Sequence, residues 1–215
     1  MTLMTTNIYL DFDGVINVFG HDHPHLRTPE HPKGFTVNKK TKIRVPNMHT
    51  SFNIRWPMAL TDRIMVWNKR ECPALLHWLS TWQDDMKHVN QALGFPQDMI
   101  DIIRFFDPET KWGIWDGKMR VITDAIKRGD APIVWIDDDE ISDITIPKIR
   151  ALTHNQPVML VRPDPNIGLS KRQTDLVEQF IDNPNQFSND LIIDIEPTVG
   201  LTDPFIRPFI TTNHH

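Results

Sequence analysis

Ile8-Tyr9-Leu10-Asp11-Phe12-Asp13-Gly14-Val15 runs from an apolar, β-favouring segment into two carboxylates one residue apart and then a glycine. The run predicts a short buried strand, and Gly14 marks its exit into a turn. Asp11 and Asp13 then fall at the carboxyl edge of a sheet, where open α/β folds bind their ligands. Two carboxylates this close repel each other unless a cation or a shared proton lies between them. Taken alone, the pattern also fits a solvated acidic turn.

A second segment repeats the theme. Ala131–Ile136 is a buried apolar strand that ends directly in Asp137-Asp138-Asp139-Glu140. In a parallel sheet the two strands can lie side by side, and Asp11, Asp13 and one or two of these acids then converge. Such oxygens suit Mg²⁺, which accepts a few carboxylates and a substrate phosphate while keeping several waters. Between them the pattern predicts a strand over Ala74–Leu79, followed by Ser80-Thr81-Trp82, and a third over Asp98–Phe106. The hydroxyl pair can donate to an anion or cap the next helix. A fifth strand is expected over Pro157–Val161. Helices are expected over Pro57–Arg70 and Gln83–Leu93, from Lys118 to a cap at Gly129, and after a Ser170/Gln173 capping box. A lysine opening a helix opposes the macrodipole, which suggests another task for Lys118, with Lys111 the competing candidate. These elements predict an α/β chain, a Rossmann-like three-layer sandwich with a mostly parallel sheet. The catalytic domain is expected over 1–182. Residues 183–215 are expected as an extension with one strand, Leu191–Ile195, lying on the domain or on a partner subunit.

Residues 16–56 read as an insertion leaving the first strand, a flap or small cap. Lys42–Val45 and Phe52–Trp56 predict a hairpin through Pro46-Asn47. From Arg27 to Arg55 there are seven Lys or Arg against one acid, Glu30. In a chain of net charge −5 this local excess suits a phosphorylated substrate or a polyanion, or else a solvated basic loop. His21, His23, His25 and His31 lie among prolines without the spacing of a structural zinc site. Trp56 and Trp82 are available to stack a base.

The 215 residues, 40% hydrophobic and 24% charged, can bury a substantial core. The single cysteine, Cys72, excludes an internal disulfide and points to a reducing cytoplasm. Residues 1–7 carry neither the charged nor the apolar region of a signal peptide. No apolar run approaches the ~20 residues of a membrane span.

D-x-D-G-V at 11–15, a hydroxyl at Ser80 or Thr81, Lys118 and the acidic pair after the fourth strand resemble the four motifs of the haloacid dehalogenase-like superfamily. L-G-F-P at 93–96, V-W-I-D-D-D at 134–139 and P-D-P-x-x-G-L-S at 163–170 look like a small group from phages, actinobacteria and RNA-repair proteins. The resemblance spans about 7–181. It implies a phosphatase, cytoplasmic in a host cell if phage-encoded. Asp11 would be the nucleophile and Asp13 the general acid and then base. Ser80, or alternatively Thr81, would bind the phosphoryl oxygens, and Lys118 would neutralise charge. Mg²⁺ would be held by Asp137 and Asp138 with Asp11 and the backbone carbonyl of Asp13. Asp138 is favoured over Asp137 and Asp139 as the direct ligand.

Gly14, Thr81, Trp82, Lys42 and Arg44 complete the expected substrate-binding set. The short insertion leaves the cleft open, which favours a large or extended substrate. With the basic flap and the two tryptophans this points to a nucleotide or a phosphorylated nucleic-acid end, with a small sugar phosphate as the alternative. A homo-oligomer through the extension is the expected self-association. The rival readings are a binding module on the same scaffold, for nucleic acid or a partner, and a metal-dependent nuclease.

Overall fold

The computed structural model describes residues 5–19, 33–45, 50–105, 114–129, 131–154, 156–187 and 191–197, with only the backbone at 114–116. The motif strand is β1, Thr6–Leu10. It hydrogen-bonds on one side to β4, Ala74–Trp78, and on the other to β6, Ile133–Ile136. A short β5, Ile100–Ile102, lies outside β4. Beyond β6 come β7, Val158–Arg162, and β8, Leu191–Ile195. All five pairings are parallel, and the order is β5-β4-β1-β6-β7-β8. The expected α/β sandwich is therefore present.

Side-chain alternation divides the core into two layers. Ile8, Leu10, Val134, Ile136, Met159 and Val161 face one side of the sheet. There they pack against α1 (Met58–Trp67), α2 (Met86–Leu93) and α5 (Lys171–Asp182). Tyr9, Ile133, Trp135, Val158 and Leu160 face the other side, toward α3 (Ile114–Arg128) and α4 (Thr145–Leu152). Strands covered on both faces need near-continuous apolar runs, and β6 is buried at every position.

The insertion supplies an antiparallel hairpin, β2 (Lys39–Val45) with β3 (Thr50–Trp56), both longer than expected. Ile43, Val45, Ile54 and Trp56 sink into the layer that holds α1 and α2. The Pro46-Asn47 turn and the four loop histidines lie outside the described residues.

Several expectations need correction. β5 is three residues rather than a strand over Asp98–Phe106. Helix α3 begins at Ile114, so Lys118 sits a turn inside it and the macrodipole argument lapses. Helix α4 is foreseen nowhere, because Pro147 masks it. Proline is tolerated there because first-turn N–H groups have no helical partner. Leu191–Ile195, expected in an extension, is the outer strand of the main sheet. No helix among the described residues is long and apolar enough to cross a membrane.

Ion pairs tie α1 to α5. Arg63 bonds Asp175 at 2.6 Å and Glu178 at 2.9 Å, Trp67 Nε1 donates to Glu178 at 3.1 Å, and Arg70 bonds Asp182. Burial pushes the Glu178 carboxyl up, but the Arg63 and Trp67 donors prevail and hold it below its usual range. The Arg70 hydrogen bond holds Asp182 down as well. Depressed carboxyls stabilise the fold above their unfolded values of about 4, and this contribution is lost as pH falls through the lower folded values. Circular-dichroism melts are expected to show Tm falling below about pH 4, with a shallower fall in Glu178→Gln. Equal slopes for the two proteins would show that the network contributes nothing to acid stability.

Candidate active site

The sheet places the acids together through its register. Strand order reverses at β1, which leaves a crevice at the carboxyl ends of β4, β1 and β6. Leu79 N donates to Leu10 O at 2.8 Å, and Asp11 N donates to Ile136 O at 2.9 Å. Ser80, Asp11 and Asp137 thus leave three adjacent strands at one level. Helix α3 adds Lys118 from the facing layer.

Lys118 is 3% exposed, Asp11 7% and Asp137 0%. The Lys118 amine donates to Asp11 Oδ2 at 2.7 Å and to Asp137 Oδ2 at 2.9 Å. Burial acts to lower the amine's pKa, but the two carboxylates outweigh it and keep Lys118 charged. Burial also pushes Asp11 up to about 6, with Lys118 opposing and Asp137 adding to the rise. Asp138 is raised well above the usual range by burial and by the charges of Asp11 and Asp137. Glu140, two residues on, is pushed to about 7, mainly by burial and then by Asp137. One ammonium cannot balance this set.

Asp11, Asp137 and Asp138 offer oxygens that all lie within 4.8 Å of one another. Hard carboxylate oxygens at that spacing, two with raised pKa, fit a divalent cation such as Mg²⁺. Asp137 is already engaged: Oδ1 accepts from Asp139 N at 3.1 Å and from Glu140 N at 2.8 Å, while Oδ2 takes Lys118. Asp138 has no hydrogen bond among the described residues and faces Gly14. Asp139 is exposed and lends only its N–H.

Asp13 is held apart from that trio. Its Oδ1 accepts from Asn17 Nδ2 at 2.6 Å and its Oδ2 from Trp82 Nε1 at 2.8 Å. Any contribution from Asp13 to a cation therefore rests on its backbone carbonyl. Burial raises its pKa while the two donors pull the other way. Asn17 also accepts from Arg55 N at 2.9 Å, so one side chain joins the hairpin to the carboxylate. Sequence reading missed Asn17. Its signal was a polar side chain four residues past Asp13 in a tight turn.

The backbone by itself accounts for Gly14. Its φ is +69°, and a Cβ built there would collide with the Asp138 carboxylate. Trp82, expected to stack a base, is 5% exposed, with its ring against Phe12 and Phe52. It orients Asp13 instead. Trp56 is also buried in the core.

Of the two candidate hydroxyls, Thr81 is exposed and Ser80 is buried. Ser80 Oγ has no hydrogen-bond partner among the described residues, a costly state for a buried hydroxyl. Lys42 and Arg44 are exposed on the hairpin and do not join the carboxylate cluster. Lys111 lies outside the described residues. Comparison of the chain with protein-family models, with curated proteins and with solved structures returned no match in any of the three.

Proposed function

We propose that the chain is a Mg²⁺-dependent phosphomonoester hydrolase of the haloacid dehalogenase type, acting on a nucleotide or a phosphorylated nucleic-acid end. The observation that carries this reading is the buried Lys118 amine bridging Asp11 and Asp137 beside Asp138. A site with three carboxylates against one ammonium is short of positive charge. Mg²⁺ bound by Asp11, Asp138 and the Asp13 carbonyl, with Asp137 in support, would supply that charge and reduce repulsion between nucleophile and phosphate.

The side chains divide the work. An Asp11 oxygen attacks phosphorus, the bond to the leaving oxygen breaks, and an aspartyl-phosphate forms. The leaving oxygen takes a proton from Asp13, whose raised pKa suits an acid. An Asp13 oxygen that accepts from Trp82 keeps room for its own proton. Water then attacks the aspartyl-phosphate, returns a proton to Asp13 and releases inorganic phosphate and the Asp11 carboxylate. Ser80 Oγ donates to the transferring phosphoryl group, which supplies its missing partner. Lys118 offsets charge on Asp11 and phosphate throughout.

The test is phosphate release with Mg²⁺ from p-nitrophenyl phosphate, nucleoside monophosphates and oligonucleotides phosphorylated at either end. Asp11→Asn is expected to abolish release, as is EDTA. No release from any substrate, with EDTA-insensitive oligonucleotide binding, would leave a binding module. Cleavage within an oligonucleotide would point to the nuclease.

A further inference from the structure

The hairpin has two unlike faces. In its antiparallel register Lys40 pairs with Arg55, Lys42 with Asn53 and Arg44 with Ser51. Directly opposed residues share a face, so Lys40, Lys42, Arg44 and Arg55 stand together opposite the apolar residues. Neither strand contains an acid. Lys40, Lys42 and Arg44 are exposed, and none takes part in an ion pair among the described residues. An open groove of about 360 Å³ is lined by Lys40, Lys42, Asn53 and Arg55 with Thr41 and Ile54.

Two further features join this face to the carboxylate site. Arg55 O accepts from Val18 N at 3.1 Å, and Arg55 N donates to Asn17, which holds Asp13. On the hairpin's inner face the Phe52 ring tilts against Trp82, 5.2 Å between centroids, and keeps 37% of its surface exposed. Trp82 in turn holds Asp13. Arg55 on the basic face and Phe52 on the inner face therefore each reach Asp13 through one intermediary, Asn17 and Trp82 respectively.

We infer that the outer face of the β2–β3 hairpin is a docking surface for single-stranded nucleic acid, whose backbone phosphates lie along Lys40, Lys42 and Arg44. Alternate residues of a strand recur every ~7 Å, a regular cation spacing that suits successive phosphates of an extended chain. The inference deepens the phosphatase reading and rests on it only for pointing the strand's phosphorylated end toward Asp11.

The test measures binding without turnover. Anisotropy of a labelled ten-nucleotide single strand is titrated with the full chain in EDTA across a range of salt. The comparison protein is Lys40→Ala/Lys42→Ala/Arg44→Ala, with its fold checked by circular dichroism. Loss of three phosphate contacts is expected to weaken binding at least ~10-fold near 0.1 M salt and to reduce the salt slope by about 2.

Equal affinity and slope for native and triple variant would overturn the proposal, as would native binding that ignores salt. Competition by poly-glutamate as effective as by unlabelled oligonucleotide would overturn nucleic acid as the partner. The native salt slope stands as a measurement even where the variant fails to fold. Because no step requires hydrolysis, failure of the phosphatase reading leaves this result intact, and the reverse also holds.

Discussion

Phosphate release by a Lys118→Met variant is expected to fall at least ~10²- to 10³-fold, the cost of removing one preorganised group that stabilises developing charge. The same variant is expected to be less stable in EDTA. Methionine fills much of the lysine's volume, so the change is mainly electrostatic. Asp11 and Asp137 would remain buried with no ammonium at 2.7 and 2.9 Å. Removing one partner of a buried pair costs about 3–5 kcal/mol, or roughly 10 °C in Tm for a chain of this size. Adding Asp11→Asn is expected to recover part of the lost stability and none of the activity. Native release by Lys118→Met would remove Lys118 from the proposed chemistry.

Asp138→Asn is expected to act in opposite directions on activity and stability. Its carboxylate stands near Asp11 and Asp137, and burial together with those charges opposes its ionisation. A neutral isostere removes that repulsion. Tm in EDTA is expected to rise by about 2–4 °C, equivalent to roughly 1 kcal/mol. Stabilisation by millimolar Mg²⁺ is expected for the native chain and is expected to shrink in the variant, which lacks one proposed ligand. Calorimetry with and without Mg²⁺ measures both effects. A lower Tm in EDTA, with an unchanged Mg²⁺ response, would mean that Asp138 is an ordinary structural acid.

Much of the scaffold was legible because its signals are local. β1, β6 and β7 are apolar runs covered on both faces, and the Ser170/Gln173 capping box forms as read, with Gln173 N donating to Ser170 Oγ at 3.2 Å. The convergence of Asp11 with Asp137 and Asp138 followed from placing two acid-ended strands next to each other in one parallel sheet. The readings that failed depended on distant packing. A tryptophan's composition does not say whether its ring meets solvent or core, and Trp56 and Trp82 are both covered. Phe52, which carries no polar atom to draw notice, is the ring left open. Asn17 matters through partners on either side of it, Asp13 and Arg55, that no spacing rule connects. The short β5 and the proline-bearing α4 take their limits from neighbours rather than from periodicity.

The central place of β1 also constrains how the chain can assemble. The strand precedes its partners in the chain: the residues that pair with Thr6 and Asn7 include Ala74 and Ile133, far downstream. Until they arrive, an apolar β segment has both edges open, a condition that invites self-association. Charges flanking such a segment act as gatekeepers against aggregation. Asp11 and Asp13 follow β1 immediately, and Asp137 to Glu140 follow β6 in the same way. The acids gathered at the sheet's edge therefore protect the nascent chain before the cleft they line exists.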